Sequence, residues 1–287
     1  MNLLVYTPLA IFALFVLLFA IEKWFPLRAS RTGLLSRLFV NGVLSGLVFV
    51  VAMLVVRPSS LSALDWSSAQ HFGLLHLLRL PVWAEFIVGF LLLDLSFYYW
   101  HLLNHKIPLL WRFHNVHHID PALDVSTGFR FHFGEVFLST LFRVAQVIII
   151  GPALGMFLLY ELVFQAGTLF HHSNLRLPIR LERWLNKLIV TPRMHGIHHS
   201  QVRPETNSNY GVVFPWWDRL HRTLGLNIPQ SKIEIGVPGY SSPDDNTLWR
   251  TMIMPFIKQR DYWSKPDGSR TSRDPAALEK KKNYLAE

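Results

Sequence analysis

Residues 82–118 read VWAEFIVGFLLLDLSFYYWHLLNHKIPLLWRFHNVHH, and two patterns meet inside them. The first, Val82–Leu103, is a nearly unbroken apolar run whose only charged residues are Glu85 near its start and Asp94 in its middle. As a helix rising about 1.5 Å per residue it covers roughly 33 Å, the thickness of a bilayer's hydrocarbon core. The second pattern begins where the first ends. His101 and His105 stand at i and i+4, and His114, His117 and His118 at i, i+3 and i+4. On a helix these offsets share one face with Cβ atoms about 5–6 Å apart, close enough for ring nitrogens to converge on a metal ion. A membrane span thus leads directly into a candidate metal site at the membrane boundary.

The same HxxHH spacing returns downstream as His195-Gly-Ile-His198-His199. The three blocks supply eight imidazoles, whereas one ion held through nitrogen takes about four to six positions. They imply two metals. His171-His172-Ser173-Asn174 is the natural source of a ninth ligand. Adjacent helical residues diverge by about 100°, so one histidine of that pair faces the metals. His132 reads equally as a ligand or as a donor behind one, His221 as structural, and His71 and His76 receive no role. The chain has no cysteine, which removes Cys-ligated zinc, iron–sulfur clusters and thiol nucleophiles. HExxH, the hydrolytic zinc arrangement, is absent, and the blocks lack the carboxylates of soluble di-iron bundles. Imidazole-only sites suit iron, zinc, copper or nickel, and a redox pair beside lipid points to oxygen chemistry. Asp94 lies seven residues before His101 and Glu161 eleven before His172. Both sit on the faces of those histidines and would orient imidazoles of neighbouring helices. The competing reading pairs one of these acids with Arg143.

Outward from this centre the chain remains a membrane protein. Half of it is apolar (51%), only 16% is charged, and the mean hydropathy is +0.25; a soluble domain carries about 25% charged residues. Leu3–Ile21 and Leu38–Val56 are two further spans, the second ended by Arg57-Pro58. The connector 22–37 holds Lys23, Arg28, Arg31 and Arg37 against only Arg57 and Arg79 in 57–81, which makes the first connector cytoplasmic and returns the chain to that side near His101. Val136–Phe170 is apolar but broken at Gly151-Pro152 into halves shorter than a full core, as in Phe137–Ile150. With histidines at both ends it should go in and come back, whereas a single crossing would separate the clusters. Asp244 could cap a helix running through Trp249, and Asp274-Pro275 could begin a short one with Lys280–Lys282 near its end. The net charge of +9 suits a membrane surface. No aromatic-interleaved basic motif supports nucleic-acid binding, and no phosphate loop or GxSxG elbow occurs.

These blocks, in this order and between these spans, resemble the fatty acid hydroxylase/sterol desaturase superfamily of integral-membrane di-iron enzymes, over about residues 85–225. The resemblance rests on Asp94…His101-x3-His105, on Leu110-Trp-Arg-Phe-His114-x2-His117-His118, and on Ser126-Thr127…Arg130-Phe-His132-x2-Glu135. His172-Ser-Asn, Thr191-Pro-Arg-Met-His195-x2-His198-His199-Ser, Asn209-Tyr210-Gly211 and Trp217-Asp218-Arg219-Leu220 complete it. Leu102 stands where bacterial relatives often have arginine, Phe133 where proline is usual, and His221-Arg222 where Phe-Gly is usual. None of these removes a block histidine.

The resemblance implies O2-dependent hydroxylation or desaturation of a fatty acyl, sterol or ether lipid. Two irons would be held by His101, His105, His114, His117, His118, His172, His195, His198 and His199. Asp94, Glu161 and Asp218 would stand behind the ligands, with His132 or His171 as possible additions. No HPGG motif is present, so a separate donor, cytochrome b5-like or a ferredoxin with its reductase, would bring two electrons. Trp100, Trp111 and Phe113 would line the lipid's path. The expected fold is an all-α, multi-pass membrane bundle of about three full spans plus a broken hairpin, capped by a cytoplasmic, helical, histidine-rich metal domain. It divides into a two-span anchor with its connector (1–81), a catalytic domain (82–225), a C-terminal cap (226–263) and a polar tail (264–287). The host membrane would be the plasma or inner membrane of a bacterium or the endoplasmic reticulum of a eukaryote. A metal-binding or transport protein is the reading from another class; its ligands would sit near the bilayer midplane.

Overall fold

The computed structural model describes residues 2–29 and 33–273. Arg31, the Asp274-Pro275 cap and Lys280–Lys282 lie outside the described residues. Among those described the regular structure is all helical, with no β-strand and only isolated bridges such as Pro26 with Leu175. The helices that place the site are α1 (Asn2–Trp24), α2 (Leu34–Val51), α3 (Arg57–Ala69), α4 (Leu74–Leu78), α5 (Val82–Lys106) and α6 (Pro108–His118). They are followed by α7 (Phe133–Ile150), α8 (Leu154–His172), α9 (Ile179–Leu185) and α10 (Pro192–His198). Five helical stretches are long and apolar enough to cross a bilayer. Their outward faces leave Phe12, Leu35, Leu54 and Leu141 between 65% and 82% exposed. Apolar surface on that scale is stable only against lipid, so the protein is an integral membrane protein.

The second span departs from its expected end. Arg57-Pro58 does not stop the helix: α2 passes through a π-helical segment, Ala52–Val56, and continues as α3. A proline lacks the N–H that an α-helix interior requires. Here Pro58 falls in the first turn after the π segment, whose wider bonding pattern has already displaced the regular ladder.

The third span matches its expected start at Val82 and extends through the whole first histidine pair to Lys106. The broken segment is a hairpin, α7 and α8 joined by Gly151-Pro152-Ala153. Its arms are longer than the apolar run suggested, 18 and 19 residues, because α7 begins at Phe133 rather than within the run. His132 caps it, its Nδ1 accepting the Gly134 N–H at 2.9 Å. Gly151 ends α7 with φ +68° and crosses the backbone of Gly73, at φ +125°, so closely that a Cβ on Gly73 would lie 2.6 Å from the Gly151 Cα. Only glycine tolerates both conditions.

Inside the bundle, Leu93 and Phe97 of α5, Val147 of α7 and Tyr160 of α8 form one apolar cluster. Gly89 lets α5 approach Met156 of α8, the small-residue contact by which helices pack in lipid. At the histidine end, α6, α9, α10 and the loops around them close over the bundle. A buried network anchors this cap. Arg37 bonds Asp120 at 2.7 Å and Asp124 at 2.9 Å, Thr127 donates to Asp120 at 2.8 Å, and Arg130 reaches Asn41 at 2.9 Å and Asn246 at 2.8 Å. Arg28 is likewise buried and bonds Gln230 at 2.6 Å. Two of the four basic residues read as marking the first connector's side of the membrane are thus structural ties within the cap.

Candidate metal centre

The histidines of the three blocks and His172 come together in two groups, one wholly buried and the other buried except for the half-buried His101 and His105. His101 and His105 of α5, His114 and His118 of α6, and His198 of α10 place ligand-capable nitrogens within 4.8 Å of one another. His117 of α6, His172 of α8, and His195 and His199 at and just beyond α10 do the same. The HxxHH blocks interlock to achieve this. The i and i+4 residues of the first block, His114 and His118, join the i+3 residue of the second, His198. The i and i+4 residues of the second, His195 and His199, join the i+3 residue of the first, His117. Each block therefore contributes to both groups.

In four of these rings the opposite nitrogen is committed to a backbone carbonyl, and this sets the tautomer. His101 Nδ1 donates to the Tyr210 carbonyl at 2.9 Å, His117 to Arg130 at 3.1 Å, His172 to Thr168 at 2.7 Å and His198 to Ser208 at 2.7 Å. A carbonyl can only accept, so each Nε2 carries a lone pair. His117 Nε2 and His172 Nε2 then face each other at 3.0 Å, lone pair to lone pair. In the other group, Nε2 of His105, His114, His118 and His198 are buried with no hydrogen-bond partner. A cation resolves both conditions, and the residues fit a metal in each group. Burial, followed by the like charges of neighbouring imidazoles, pushes His117, His118, His195 and His199 well below the usual histidine pKa. Burial does the same to His198. Neutral rings are the metal-binding form.

The carboxylates are arranged differently from the expectation. Glu135, in the first turn of α7, accepts from His114 Nδ1 at 2.9 Å while its Oε2 is buried without a partner. It is the acid that orients an imidazole, and sequence reasoning passed over it as a ligand support. The available signal was an isolated acid opening an apolar helix between two histidine blocks. Asp94 touches no histidine. It accepts from Trp217 Nε1 at 2.8 Å and from the N–H groups of Phe214 at 3.1 Å and Val213 at 3.3 Å, and so ties the 213–217 loop to α5. Asp218 accepts the N–H groups of Tyr210 and Gly211, each at 2.8 Å, and reaches His101 only through the Tyr210 carbonyl. Glu161 pairs with Arg143, the competing reading for that residue.

His132 stands outside both groups. Its Nε2 donates to the Met252 carbonyl at 3.0 Å and its Nδ1 is taken by the α7 cap. His171 is also outside them, its ring centre 4.2 Å from that of His195 and tilted by 50°, with a buried, unpartnered Nδ1. His221 bonds Tyr99 and the Trp217 carbonyl, each at 2.8 Å, in the structural role expected.

A cavity of about 370 Å³ reaches the site, with His101, His114, His117 and His172 at its inner end. Its walls come from the helices of the bundle, including the π segment of the second span. Trp100 lines it as expected, but Trp111 and Phe113 do not. Trp111 packs instead between His105 and Trp263, and Phe113 against His132 and Phe256.

Comparison with known proteins agrees with this architecture. The chain is 28% identical over 244 residues to the ornithine lipid hydroxylase OlsE of Rhizobium tropici, covering 83% of this chain and 71% of that one. It is 27% identical over 234 residues to the alkylglycerol monooxygenase of Danio rerio, covering 78% of this chain and 48% of that protein. With human cholesterol 25-hydroxylase it shares 29% over 137 residues, 47% of this chain and 48% of the relative. The chain thus spans about half the length of the last two. No solved structure gives a significant match. Residues 86–223, which hold every histidine of both groups, match the fatty acid hydroxylase family. The chain therefore carries a fatty acid hydroxylase domain and is a member of the superfamily that its histidine spacing resembles.

Proposed function

We propose that this protein hydroxylates a C–H bond of a membrane lipid with O2 and two external electrons, using an iron in each histidine group. Membership in the family makes it an oxidoreductase of the hydroxylase type. The observation that carries the finer reading is the pair of adjacent imidazole groups opening onto a largely apolar cavity between membrane helices. The reaction balances as R–H + O2 + 2e⁻ + 2H⁺ → R–OH + H2O.

Iron held by these neutral imidazoles would supply the redox chemistry for O2 reduction and C–H oxidation. The chain's own residues make the setting. Carbonyls of Tyr210, Arg130, Thr168 and Ser208 fix four rings with Nε2 inward, and Glu135 fixes a fifth. Asp218 and Asp94 act behind them by holding the loop that supplies the Tyr210 carbonyl and the loop that follows it. The apolar walls admit a hydrocarbon and keep bulk water from the reacting carbon. Electrons come from a separate donor on the cytoplasmic side, where the cap lies in this reading. The position of both groups at the end of the bundle, with His101 in the last turns of α5, argues against transport, whose ligands belong near the midplane.

The test is turnover by purified, iron-loaded protein with total membrane lipid, a reductant and 18O2. A lipid product heavier by one 18O atom is expected. A product lighter by two hydrogens would replace hydroxylation with desaturation, and absence of O2 uptake with any reductant would overturn both.

A further inference from the structure

The cavity does not end in hydrocarbon. It follows one face of α8, touching His172, Thr168, Gln165, Glu161 and Leu158 at intervals of three or four residues. That stripe covers fifteen residues, roughly 21 Å along the helix axis. Most of the wall is apolar, but its lining also holds three charged side chains beyond the histidine end: Arg57, Arg143 and Glu161. Arg143 Nη1 donates to Glu161, and its guanidinium lies 4.8 Å from the ring centre of Phe97 and 5.7 Å from that of Phe164. Nε and Nη2 of Arg143 have no protein acceptor among the described residues. Arg57 has only a weak contact, 3.8 Å to the Met53 sulfur, and no carboxylate within ion-pair reach. Apart from Glu135, which is bonded to His114 at the histidine end, these two cations and one anion are the charged side chains of the lining, with a net charge of +1.

Ionisable side chains at membrane depth are costly and mark the path of a ligand when they face a cavity. A hydrocarbon tail filling this space would strip water from Arg57 and from two edges of Arg143 and return no acceptor. A monoanionic oxygen group would satisfy them, with the guanidinium of Arg143 already held by its two rings and by Glu161. A volume of about 370 Å³ suits one chain or ring system rather than a whole two-chain lipid.

The geometry points to Arg57 and Arg143 as the docking station for the anionic end of a single-chain lipid, a carboxylate or a phosphate ester. Glu161 serves to position Arg143. The eleven-position offset from Glu161 to His172 then places the carbon facing the histidines roughly 16 Å from that anionic group. The hydroxylase reading identifies that carbon as the reacting one, but the docking itself requires no metal. Substrate choice in this protein follows from the distance between charge and reacting carbon, measured from the polar end.

Equilibrium binding to detergent-purified protein tests this with three probes: palmitate, its methyl ester, and hexadecyl phosphate. Tighter binding of an anion than of the ester is expected, and whichever anion binds better identifies the headgroup chemistry. Arg57→Gln should weaken anion binding at least tenfold and leave the ester unchanged. Arg143→Gln leaves Glu161 unpaired, so it is made together with Glu161→Gln, and the double variant should show the same selective loss. Affinity for both anions no higher than for the ester, or unchanged anion binding in Arg57→Gln and in the double variant, would overturn the assignment. Metal content in each variant is expected to match the parent. Failure of the hydroxylase reading would show separately, as intact anion binding without O2 uptake.

Discussion

His117 and His198 each occupy the i+3 position of an HxxHH block, and each joins the i and i+4 pair of the other block. A single substitution should therefore empty one group and spare its neighbour. His117→Ala leaves the four-imidazole group with three rings, and metal analysis of the purified variant is expected to give about one ion where two are predicted for the parent. Glu135→Gln preserves shape but removes the charge beside His114. Loss of such an orienting carboxylate costs about 10–100-fold in metal affinity, which competition with a chelator of known affinity would read. These histidines were legible in the sequence because the helix period alone brings i, i+3 and i+4 together. Their grouping was not, since it depends on how α6 and α10 face each other. Asp94 was legible as important but not in its role. A helical register can place an acid on a face, yet the Trp217 and Phe214 donors arrive from more than a hundred residues away.

The elements were read best where an apolar run and a helix coincide. Val82–Lys106 is the example, its start agreeing with the expected span. The misreadings came where backbone geometry departs from the regular ladder. A π segment carried the second span past Arg57-Pro58, and the His132 cap began α7 before its apolar run. The break at Gly151 was visible as Gly-Pro, but its partner across the chain was not. Gly151 meets Phe72 and Gly73 with backbone contacts that leave no room for a Cβ. Gly151→Ala must strain both the left-handed backbone and the crossing, at a cost of about 1–2 kcal/mol for the conformation alone. A lowered thermal midpoint in detergent, with metal content unchanged at low temperature, is the expected signature. An unchanged midpoint would mean that the hairpin corner does not hold the bundle.

Across the whole molecule, the bundle presents lipid-facing surface, a closed polar cap, and a cavity connecting them. The all-helical membrane fold was evident from composition and run length. The cavity was not, because its wall combines residues from α1 to α8 that no local pattern relates. Ser139 of α7 lines it and is nearly buried. Ser139→Trp would fill the passage beside the histidines without touching them. Lipid oxidation should fall by about a hundredfold, the order expected when a reacting carbon is displaced by an ångström or more, with both metals retained. Product formation by mass spectrometry, alongside metal analysis of the same sample, separates blockage from loss of the site.

The central claim is that nine imidazoles hold two redox metals. Its most direct test is metal stoichiometry by mass spectrometry, on detergent-purified protein from cells grown with excess iron and no added zinc. Two irons per chain are predicted, with loss of one in His117→Ala. One zinc and no iron, or full metal retention in that variant, would contradict the account.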